Sequence, residues 1–421
     1  MAKPDGAPSC QLDQIEEAGG TDRPEPARVP ARTVLWVALR LGLTSFGGPV
    51  AHLGYFESEY VRRRRWVDEG TYADLVALSQ SLPGAASSKL GISIGMIKAG
   101  VRGGLAAWVG FTLPSAVLMT AFAVGAGGLG QGALGWLRGL QVVAVAVVAL
   151  AVWNMATKLI TAVSLSAIAV GAAVVELMVP SRVTTVSIIV VAAVAGYLLG
   201  PDEAAGAVRR LPLGVGRRAA IVATVAFFGL LVALPVLRQV TGSHAVALLD
   251  STYRAGALVF GGGMVVLPLL QGEVVAPGWL SSSHFLAGYG AAQAMPGPLF
   301  TFAAFIGAAE SPEPNGVLGA AIALVGIFLP SFLIVVATLP SLGAIRSRPQ
   351  VRACLRGVNA AVVGILLAAL YQPLWTGTIH HPADFALALA AFWLLAMAKL
   401  PAWLVVILTA ATGALITALG G

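Results

Sequence analysis

The chain has 421 residues, of which 57% are hydrophobic and 11% are charged, and its formal net charge is +7. A soluble domain has about a quarter charged residues, so this composition excludes a soluble globular protein. The net charge does not indicate nucleic acid binding, because the basic residues fall at the ends of apolar segments, where membrane topology uses them. Runs such as 142–152 and 183–199 are apolar on every face, which excludes the alternating strands of an outer-membrane barrel. The sequence therefore predicts an all-α integral membrane protein.

Residues 1–30 come first and are rich in Pro, Asp, Glu and Arg. Because they lack an apolar stretch, we expect a disordered cytoplasmic leader and not a cleaved signal peptide. Cys10 and Cys354 are the only cysteines in the sequence, so neither a disulfide framework nor a thiolate metal site is predicted. We expect no metal and no cofactor.

Nine apolar segments have lengths near the roughly 20 residues that a transmembrane helix needs. They are 105–126, 132–157, 160–179, 183–200, 219–237, 317–338, 351–371, 383–398 and 402–419. Four more apolar segments contain a Gly-Gly or Pro-Gly break in their interior, namely 34–61, 72–98, 254–270 and 285–308. Because such breaks interrupt a helix, these four are predicted to be re-entrant hairpins or discontinuous helices.

The same pattern of breaks and charges occurs twice, once in each half of the chain. The matching pairs are Arg40-x-Gly42 with Arg254-x-Gly256, Phe46-Gly47-Gly48 with Phe260-Gly261-Gly262, Trp66 with Trp279, Pro83-Gly84 with Pro296-Gly297, Leu113-Pro114-Ser115 with Leu329-Pro330-Ser331, and Leu137-Arg138-Gly139 with Leu355-Arg356-Gly357. The ordered pairs indicate an internal duplication. We assign a first repeat to 31–200, a polar cytoplasmic linker to 201–218, a connecting transmembrane helix to 219–247 and a second repeat to 248–421.

The basic residues choose the orientation of the repeats. Most of them fall on one side, including the run Arg62 to Arg65, if the N-terminus is cytoplasmic. Five full crossings then separate the first pair of broken segments from the second pair. Five is an odd number, so the two repeats are predicted to have inverted topology in the inner (plasma) membrane.

Matched breaks in two halves of a hydrophobic chain are a pointer to a transport site. Each break leaves free backbone N–H groups at a new helix N-terminus inside the membrane, and such an end attracts anions. The alternative is that the glycines only allow close packing and the prolines only kink. The predicted substrate-binding residues at the breaks are Gly47, Gly48, Pro83, Gly84, Ser87, Ser88, Gly261, Gly262, Pro296, Gly297 and Thr301.

Three basic residues within apolar segments are further candidates for anion contact. Arg40 and Arg254 occupy equivalent positions before each Phe-Gly-Gly break, and an arginine there is costly unless it meets an anion or snorkels to the interface. Lys89 follows the first Pro-Gly break, where a cation opposes the helix dipole unless an anion lies nearby. For Lys89 the alternative is pairing with a carboxylate of Glu57, Glu59 or Asp74.

The roles predicted for the other polar residues of the apolar segments are less specific. His52 is the candidate for proton coupling, since burial can bring an imidazole into the range of working pH, and the alternative is a satisfied core histidine. Glu57 and Glu59 are predicted to be interfacial partners of the arginine run. Arg138 and Arg356 are predicted to anchor helix ends, with a role on the substrate path as the alternative.

The motifs together resemble the chromate ion transporter (CHR) family. The string Phe46-Gly-Gly-Pro49-x-Ala51-His52, Pro83-Gly84 and Phe111-x-Leu113-Pro114-Ser115 carries the resemblance in the first half, and Gln293-Ala-x-Pro296-Gly-Pro298 with Phe328-Leu-Pro-Ser331 carries it in the second. Ala85 departs from the family pattern, which has proline there. The resemblance implies a two-domain member that exports chromate and confers chromate resistance, with sulfate as the structural analogue.

The sequence also bears on functions other than chromate export. No metal-ligand spacing, phosphate-binding glycine loop or nucleophile elbow is present, so an enzyme is not expected. The lack of a nucleotide motif indicates that an ion gradient or the membrane potential drives transport. A transporter of sulfate or another oxyanion and an anion channel stay open as alternatives. The expected partners are chromate or sulfate and the lipid bilayer, without nucleic acid, and the sequence leaves a homodimer open.

Overall fold

The computed structural model describes residues 28–126, 134–200, 216–260, 266–339 and 349–418. Within these ranges 85% of the residues are helical and none lies in a strand. The all-α class predicted from the sequence is confirmed. Most of the predicted leader and linker, and the glycines Gly261 and Gly262, lie outside the described residues.

The helices of the first half form two broken segments followed by a full-length helix pair and a short hairpin. They are α1 (Ala31–Thr44), α2 (Gly48–Phe56), α3 (Glu69–Ser81), α4 (Ala86–Ala126), α5 (Leu134–Leu159), α6 (Val163–Met178) and α7 (Arg182–Leu199). A π-helical segment, Glu57–Arg63, extends α2. Helix α8 (Arg217–Thr241) then connects the two halves.

The second half repeats this order of elements. Its helices are α9 (His244–Leu258), α10 (Val266–Val274), α11 (Ser282–Ala292), α12 (Phe302–Ala309), α13 (Gly316–Thr338), α14 (Pro349–Ala369), α15 (Pro382–Ala396) and α16 (Ala402–Ala418). One turn of 3-10 helix, Leu299–Thr301, precedes α12. A π-helical segment, Leu370–Trp375, follows α14.

Helix α4 contains a sharp turn that the sequence motifs do not mark. The backbone is non-helical at Ala99 and Gly100, and Gly100 has φ +62°. Residues 101–126 therefore fold back against residues 86–98, and a Cβ at Gly95 or at Gly103 would collide with the other glycine's carbonyl. In the second half α12 and α13 are separate helices, which pack through Gly307 and Gly319 in the same way.

In each half the first broken segment begins beside the end of the second, as two re-entrant hairpins or two discontinuous helices would both do. The Val29 N–H donates to the Lys98 carbonyl at 3.1 Å, which joins the start of α1 to the end of the 86–98 segment. In the second half, His244 Nε2 at the start of α9 lies 3.1 Å from Glu310 Oε1 after α12. Between the two pairs the chain passes through residues 101–126 and then α5, α6, α7 and α8. This odd number of passes gives the second repeat an inverted topology.

Small residues let the first long helix of each repeat pack tightly on the first hairpin. A Cβ at Gly42 would lie 2.7 Å from the Phe111 carbonyl, and one at Gly256 would collide with the Ile327 carbonyl. The duplicated Arg-x-Gly pattern is thus explained on its glycine side by close contact of two helix backbones.

The last hairpin of each repeat packs against the other repeat. Helices α15 and α16 lie on α5, where a Cβ at Gly139 would collide with the Thr409 carbonyl. Helices α6 and α7 lie on α14, where a Cβ at Gly357 would collide with the Ala192 carbonyl. The exchange is reciprocal, as a two-fold relation between the repeats requires.

The two duplicated arginines at the start of α5 and α14 hold this exchange together. Arg138 makes a bidentate ion pair with Asp384 of α15, with atoms 2.7 and 3.0 Å apart. Arg356 donates to the Gly200 carbonyl after α7 at 2.5 Å. Each arginine therefore contacts the opposite repeat, in agreement with the predicted anchoring role.

The nine predicted crossings coincide with helices of two lengths. Within the described ranges five helices are long and apolar enough to cross a membrane. The segments predicted at 160–179, 183–200, 383–398 and 402–419 form α6, α7, α15 and α16, which have 16, 18, 15 and 17 residues. These four apolar helices are close to the predicted lengths and lie near the lower limit of about 17 residues for a membrane span. Because the four helices form two pairs, the inversion of the repeats does not depend on their length.

Candidate functional site

The breaks of the two repeats bind each other across the centre of the molecule. The Gly84 N–H donates to the Val259 carbonyl at 2.7 Å, and the Gly297 N–H donates to the Ser45 carbonyl at 2.8 Å. Val259 and Ser45 are equivalent residues that precede the two Phe-Gly-Gly motifs. Each Pro-Gly break thus meets the Phe-Gly-Gly break of the other repeat.

The two Pro-Gly glycines have the same unusual backbone. Gly84 has φ +100° and Gly297 has φ +93°, in the left-handed region that favours glycine. Each faces the serine of the other repeat's Leu-Pro-Ser motif, Ser331 for Gly84 and Ser115 for Gly297. The preceding prolines, Pro83 and Pro296, therefore place each glycine where a side chain would collide with that serine.

Ala85 gives the first break one hydrogen bond that the second break cannot make. The Ala85 N–H donates to Ser331 Oγ at 3.0 Å. The equivalent residue in the second repeat is Pro298, which has no N–H, and Ser115 Oγ donates to the Thr112 carbonyl instead. The departure from the family pattern leaves the glycine conformation unchanged and adds a donor.

Lys89 is 1% exposed, less than any other lysine or arginine of the described residues. Its ammonium donates to the Leu82 carbonyl and, at 2.9 Å, to the Pro83 carbonyl. It pairs with no carboxylate in the described part of the chain, so the predicted alternatives for Lys89 do not apply. A buried cation without a counter-ion is unfavourable, and anion contact by Lys89 stays a prediction.

The first turn of α4 supplies further donors beside Lys89. Ser87 and Ser88 are 4% and 2% exposed, and Ser88 Oγ has no hydrogen-bond partner in the described residues. The first N–H groups of a helix have no intrahelical acceptors. Thr301, near the equivalent position, is 1% exposed, and its hydroxyl donates to the Pro298 carbonyl at 2.8 Å. The second repeat therefore has the break but neither the cation nor the free hydroxyl.

The Gly47-Gly48 break has two successive left-handed residues, with φ +98° and +76°. His52, one turn into α2, is 1% exposed and packs edge-on against Phe111 at 5.3 Å between ring centroids. The Ser45 carbonyl faces the ring, but neither ring nitrogen completes a hydrogen bond among the described residues. His52 is thus a buried core residue next to the break. Its role in proton coupling stays a prediction.

The two equivalent arginines have different surroundings. Arg40 is exposed on α1. Arg254 forms an ion pair with Asp250 and lies 3.6 Å from Glu273. The structure does not bring the two guanidinium groups together, and anion contact by either one stays a prediction.

A second duplicated cluster joins an arginine, a glutamate and a tryptophan at each repeat, and the sequence analysis connected only the first-repeat glutamate to its arginines. In the first repeat Arg64 binds Glu59 at 2.7 Å and lies over the Trp66 ring at 5.5 Å. In the second, Arg238 lies 3.7 Å from Glu273 and over the Trp279 ring at 5.5 Å. Glu59 and Glu273 stand at equivalent positions, and this spacing could have signalled the cluster. Arg238 could not be found in this way, because it belongs to α8 and has no counterpart in the repeat.

A cavity of about 490 Å³ opens beside the second of these clusters. Arg254 and Glu273 line it together with Glu176 and Thr185, whose hydroxyl donates to Glu176 at 2.8 Å. At about 30 Å³ per water molecule, the volume corresponds to more than ten waters. The cavity thus lies between the α6–α7 turn and the second repeat, with Arg254 in its wall.

Comparison with known proteins agrees with this architecture. The sequence profile of the chromate transporter family matches residues 32–197 and 246–414. A chromate transport protein of Pseudomonas aeruginosa is 30% identical over 335 residues, which cover 78% of this chain and 77% of that protein. A probable chromate transport protein of Synechococcus elongatus is 28% identical over 384 residues, covering 89% of this chain and 93% of that protein.

A chromate transport protein of Cupriavidus metallidurans is 29% identical over 350 residues, covering 80% of this chain and 81% of that protein. No solved structure matches the chain significantly. The family profile falls on both repeats and leaves out only α8, the termini and the intervening linker. The resemblance inferred from the sequence is confirmed: the chain belongs to the chromate transporter family.

Proposed function

We propose that this protein exports chromate, or a closely related tetrahedral oxyanion such as sulfate, from the cytoplasm. The anion binds where the breaks of the two repeats meet, beside Lys89. The observation that carries the proposal is the fully buried Lys89 ammonium at the start of α4, which is satisfied only by carbonyl groups. The names of the relatives support chromate as the substrate.

The electrostatics of the site favour a compact dianion. The Lys89 ammonium contributes one positive charge, and the N-terminus of α4 adds about half an elementary charge. The Ser88 hydroxyl and the free N–H groups of the first turn can donate to anion oxygens. The Pro-Gly break of the second repeat lies opposite, but its Gly297 N–H already donates to the Ser45 carbonyl. The first repeat therefore supplies most of the groups that select the anion.

The inverted repeats suit an alternating-access transporter, in which two similar halves exchange roles around a fixed site. The cavity beside Arg254 gives access from the side on which the second pair of hairpins enters. With a cytoplasmic N-terminus in the inner membrane, that side is the outside. Arg254 and Arg40 would then contact the anion in turn, at opposite ends of the path.

The membrane potential supplies a driving force in this orientation. Moving one charge through 100 mV is worth about 2.3 kcal/mol, so a dianion gains about twice as much on leaving an inside-negative cell. An incoming proton would add to this force, with His52 as the predicted carrier. Export by this route would confer chromate resistance.

Chromate and sulfate flux into and out of proteoliposomes, under imposed voltage and pH steps, tests the proposal. We expect Lys89→Ala to weaken anion affinity by about 10- to 100-fold, because a charged hydrogen bond is worth roughly 1.5–3 kcal/mol. Lys89→Arg keeps the charge and should retain part of the activity. Lys158→Ala removes an exposed lysine at the end of α5 and serves as the matched control, with flux unchanged.

The outcomes separate the alternatives. Wild-type flux in Lys89→Ala places the site elsewhere, and normal flux in Arg40→Ala and Arg254→Ala as well removes the whole site assignment. Steady conductance without accumulation identifies an anion channel. Purified protein that moves neither anion under any gradient contradicts the transporter proposal.

A further inference from the structure

A carboxyl group is buried at the opposite end of the second repeat from the breaks. Glu310 directly follows α12, and its side chain is fully buried. Its Oε1 lies 3.1 Å from His244 Nε2, at the start of α9, and neither carboxyl oxygen completes a hydrogen bond among the described residues. The His244 side chain is 15% exposed, so the imidazole links the buried carboxyl to water.

The pair sits at a junction of four elements. The His244 ring packs edge-on against Trp279 at 4.5 Å between centroids. The Ser311 N–H, in the loop after α12, donates to the Trp279 carbonyl at 2.9 Å. The start of α9, the segment before α11 and the loop between α12 and α13 are thus joined around Glu310, and Arg238 of α8 lies over the Trp279 ring.

The neighbouring charges do not neutralise Glu310. Burial and, after it, the positive charge of Arg238 lower the pKa of His244. The Arg238 guanidinium itself lies 3.4 Å from Asp250 and 3.7 Å from Glu273. Glu313, in the same loop, is exposed. The only cationic partner within ion-pair distance of Glu310 in the described residues is therefore His244 itself.

We propose that Glu310 and His244 bind one shared proton, and that this proton holds the second pair of hairpins closed at the outer end of the transport path. With one proton the buried pair is neutral. Without it a bare carboxylate is left in a buried position, which is unfavourable unless the loop opens to water. The coupling to export rests on the proposed function and its orientation.

The direction of the pH effect follows from burial. Burial raises the pKa of the Glu310 carboxyl from 4.5 to about 8. The closed form therefore holds a proton that the open form releases, and its stability falls as the pH rises from about 4.5 to about 8 and changes little beyond that. At a fixed driving force, export should accelerate as the outside pH rises through this range.

The first repeat has no equivalent pair. Ile97 occupies the position of Glu310, and Pro30 that of His244. A neutral backbone hydrogen bond, from the Val29 N–H to the Lys98 carbonyl, joins the corresponding elements there. Proton control is thus confined to one end of the molecule.

Trp279 provides a readout that does not require transport. The purified full chain in detergent is titrated from pH 4 to 9, and the tryptophan emission of Trp279→Phe is subtracted to isolate the signal of Trp279. We expect one step between pH 4.5 and 8, and its absence in Glu310→Gln. Glu313→Gln removes an exposed carboxyl from the same loop and should keep the step.

Chromate flux at several outside pH values gives the second readout. The flux of the wild type and that of Glu313→Gln should depend on outside pH in the same way, whereas the flux of Glu310→Gln should depend on it less. Because chromate protonation affects all three proteins equally, the difference between the two variants reports on Glu310. A step and a pH profile that persist in Glu310→Gln overturn the proposal. If Glu310→Gln does not fold, Glu310→Asp must keep the step with a shifted midpoint, and an unshifted midpoint overturns it.

The two readouts distinguish the proton site from the transport function. If the Trp279 step depends on Glu310 but no oxyanion moves, the proton site stands and the export proposal fails. If chromate moves but the step ignores Glu310, export stands and the proton site fails.

Discussion

The Pro-Gly breaks of the two repeats share a backbone and differ in chemistry. Gly84 and Gly297 have nearly the same φ, and each donates to the residue before the other repeat's Phe-Gly-Gly motif. Only the first break is followed by a buried lysine, whereas the second is followed by Thr301, whose hydroxyl is already engaged. Both copies of the duplication thus keep the backbone conformation of the break, whereas only the first copy has a buried basic side chain at the candidate site.

The largest effect is expected from giving either glycine a side chain. Gly84→Ala and Gly297→Ala each force a left-handed residue, at about 1–2 kcal/mol, and crowd a serine, at about 1–3 kcal/mol more. Both should lower the unfolding midpoint in detergent and stop chromate flux. Gly229→Ala on α8, where a Cβ meets nothing within 4 Å, should be neutral or slightly stabilising. If Gly297→Ala is tolerated while Gly84→Ala is damaging, the two breaks do not depend on the glycine conformation in the same way.

A smaller contrast is expected between the two anchoring arginines. Arg138→Ala leaves Asp384, which is 3% exposed, without its cation, and we expect a loss of about 2–4 kcal/mol in unfolding free energy. Arg356→Ala removes a hydrogen bond to a carbonyl and should cost about 1 kcal/mol. Thermal unfolding in detergent measures both. Arg138→Ala combined with Asp384→Asn should recover part of the loss, and no recovery would contradict the ion-pair explanation.

The smallest contrast is expected between the two serines. Ser331→Ala leaves the buried Ala85 N–H without an acceptor, at about 1–3 kcal/mol. Ser115→Ala faces Pro298, which has no N–H to lose a partner, so its effect should be at most about 1 kcal/mol. Unfolding midpoints and chromate flux should both rank the variants in this order. An equal effect of the two would mean that the Ala85 hydrogen bond has little influence.

The sequence predicted the elements of the site better than their partners. The breaks, Lys89 and the inverted repeats could be recognised because glycine, proline and charge in an apolar segment are costly and therefore informative. The reciprocal hydrogen bonds between Gly84 and Val259 and between Gly297 and Ser45 could not, because they join residues far apart through backbone atoms that carry no sequence signal. The identical motif around Arg40 and Arg254 also concealed a difference, since the partner Asp250 of Arg254 stands where the first repeat has Trp36.

The partners of the short helices were missed for a related reason. Hydropathy predicts that α6, α7, α15 and α16 lie in the membrane, but it does not predict that they pack on α14 and α5 of the other repeat. Arg238 illustrates another limit, because a helix outside the repeat completes a cluster within it. Glu310 and His244 likewise became informative only when their distance was known.

The exchange of hairpins between the repeats affects how the protein is made. Helix α5 is synthesised early, yet its glycine-lined face, around Gly139, is covered by Thr409 and its neighbours in α16, at the far end of the chain. Until α16 has been synthesised, the face of α5 around Gly139 must therefore contact lipid or the insertion machinery. The native centre, where the breaks meet, can form only after the ribosome has finished the second half.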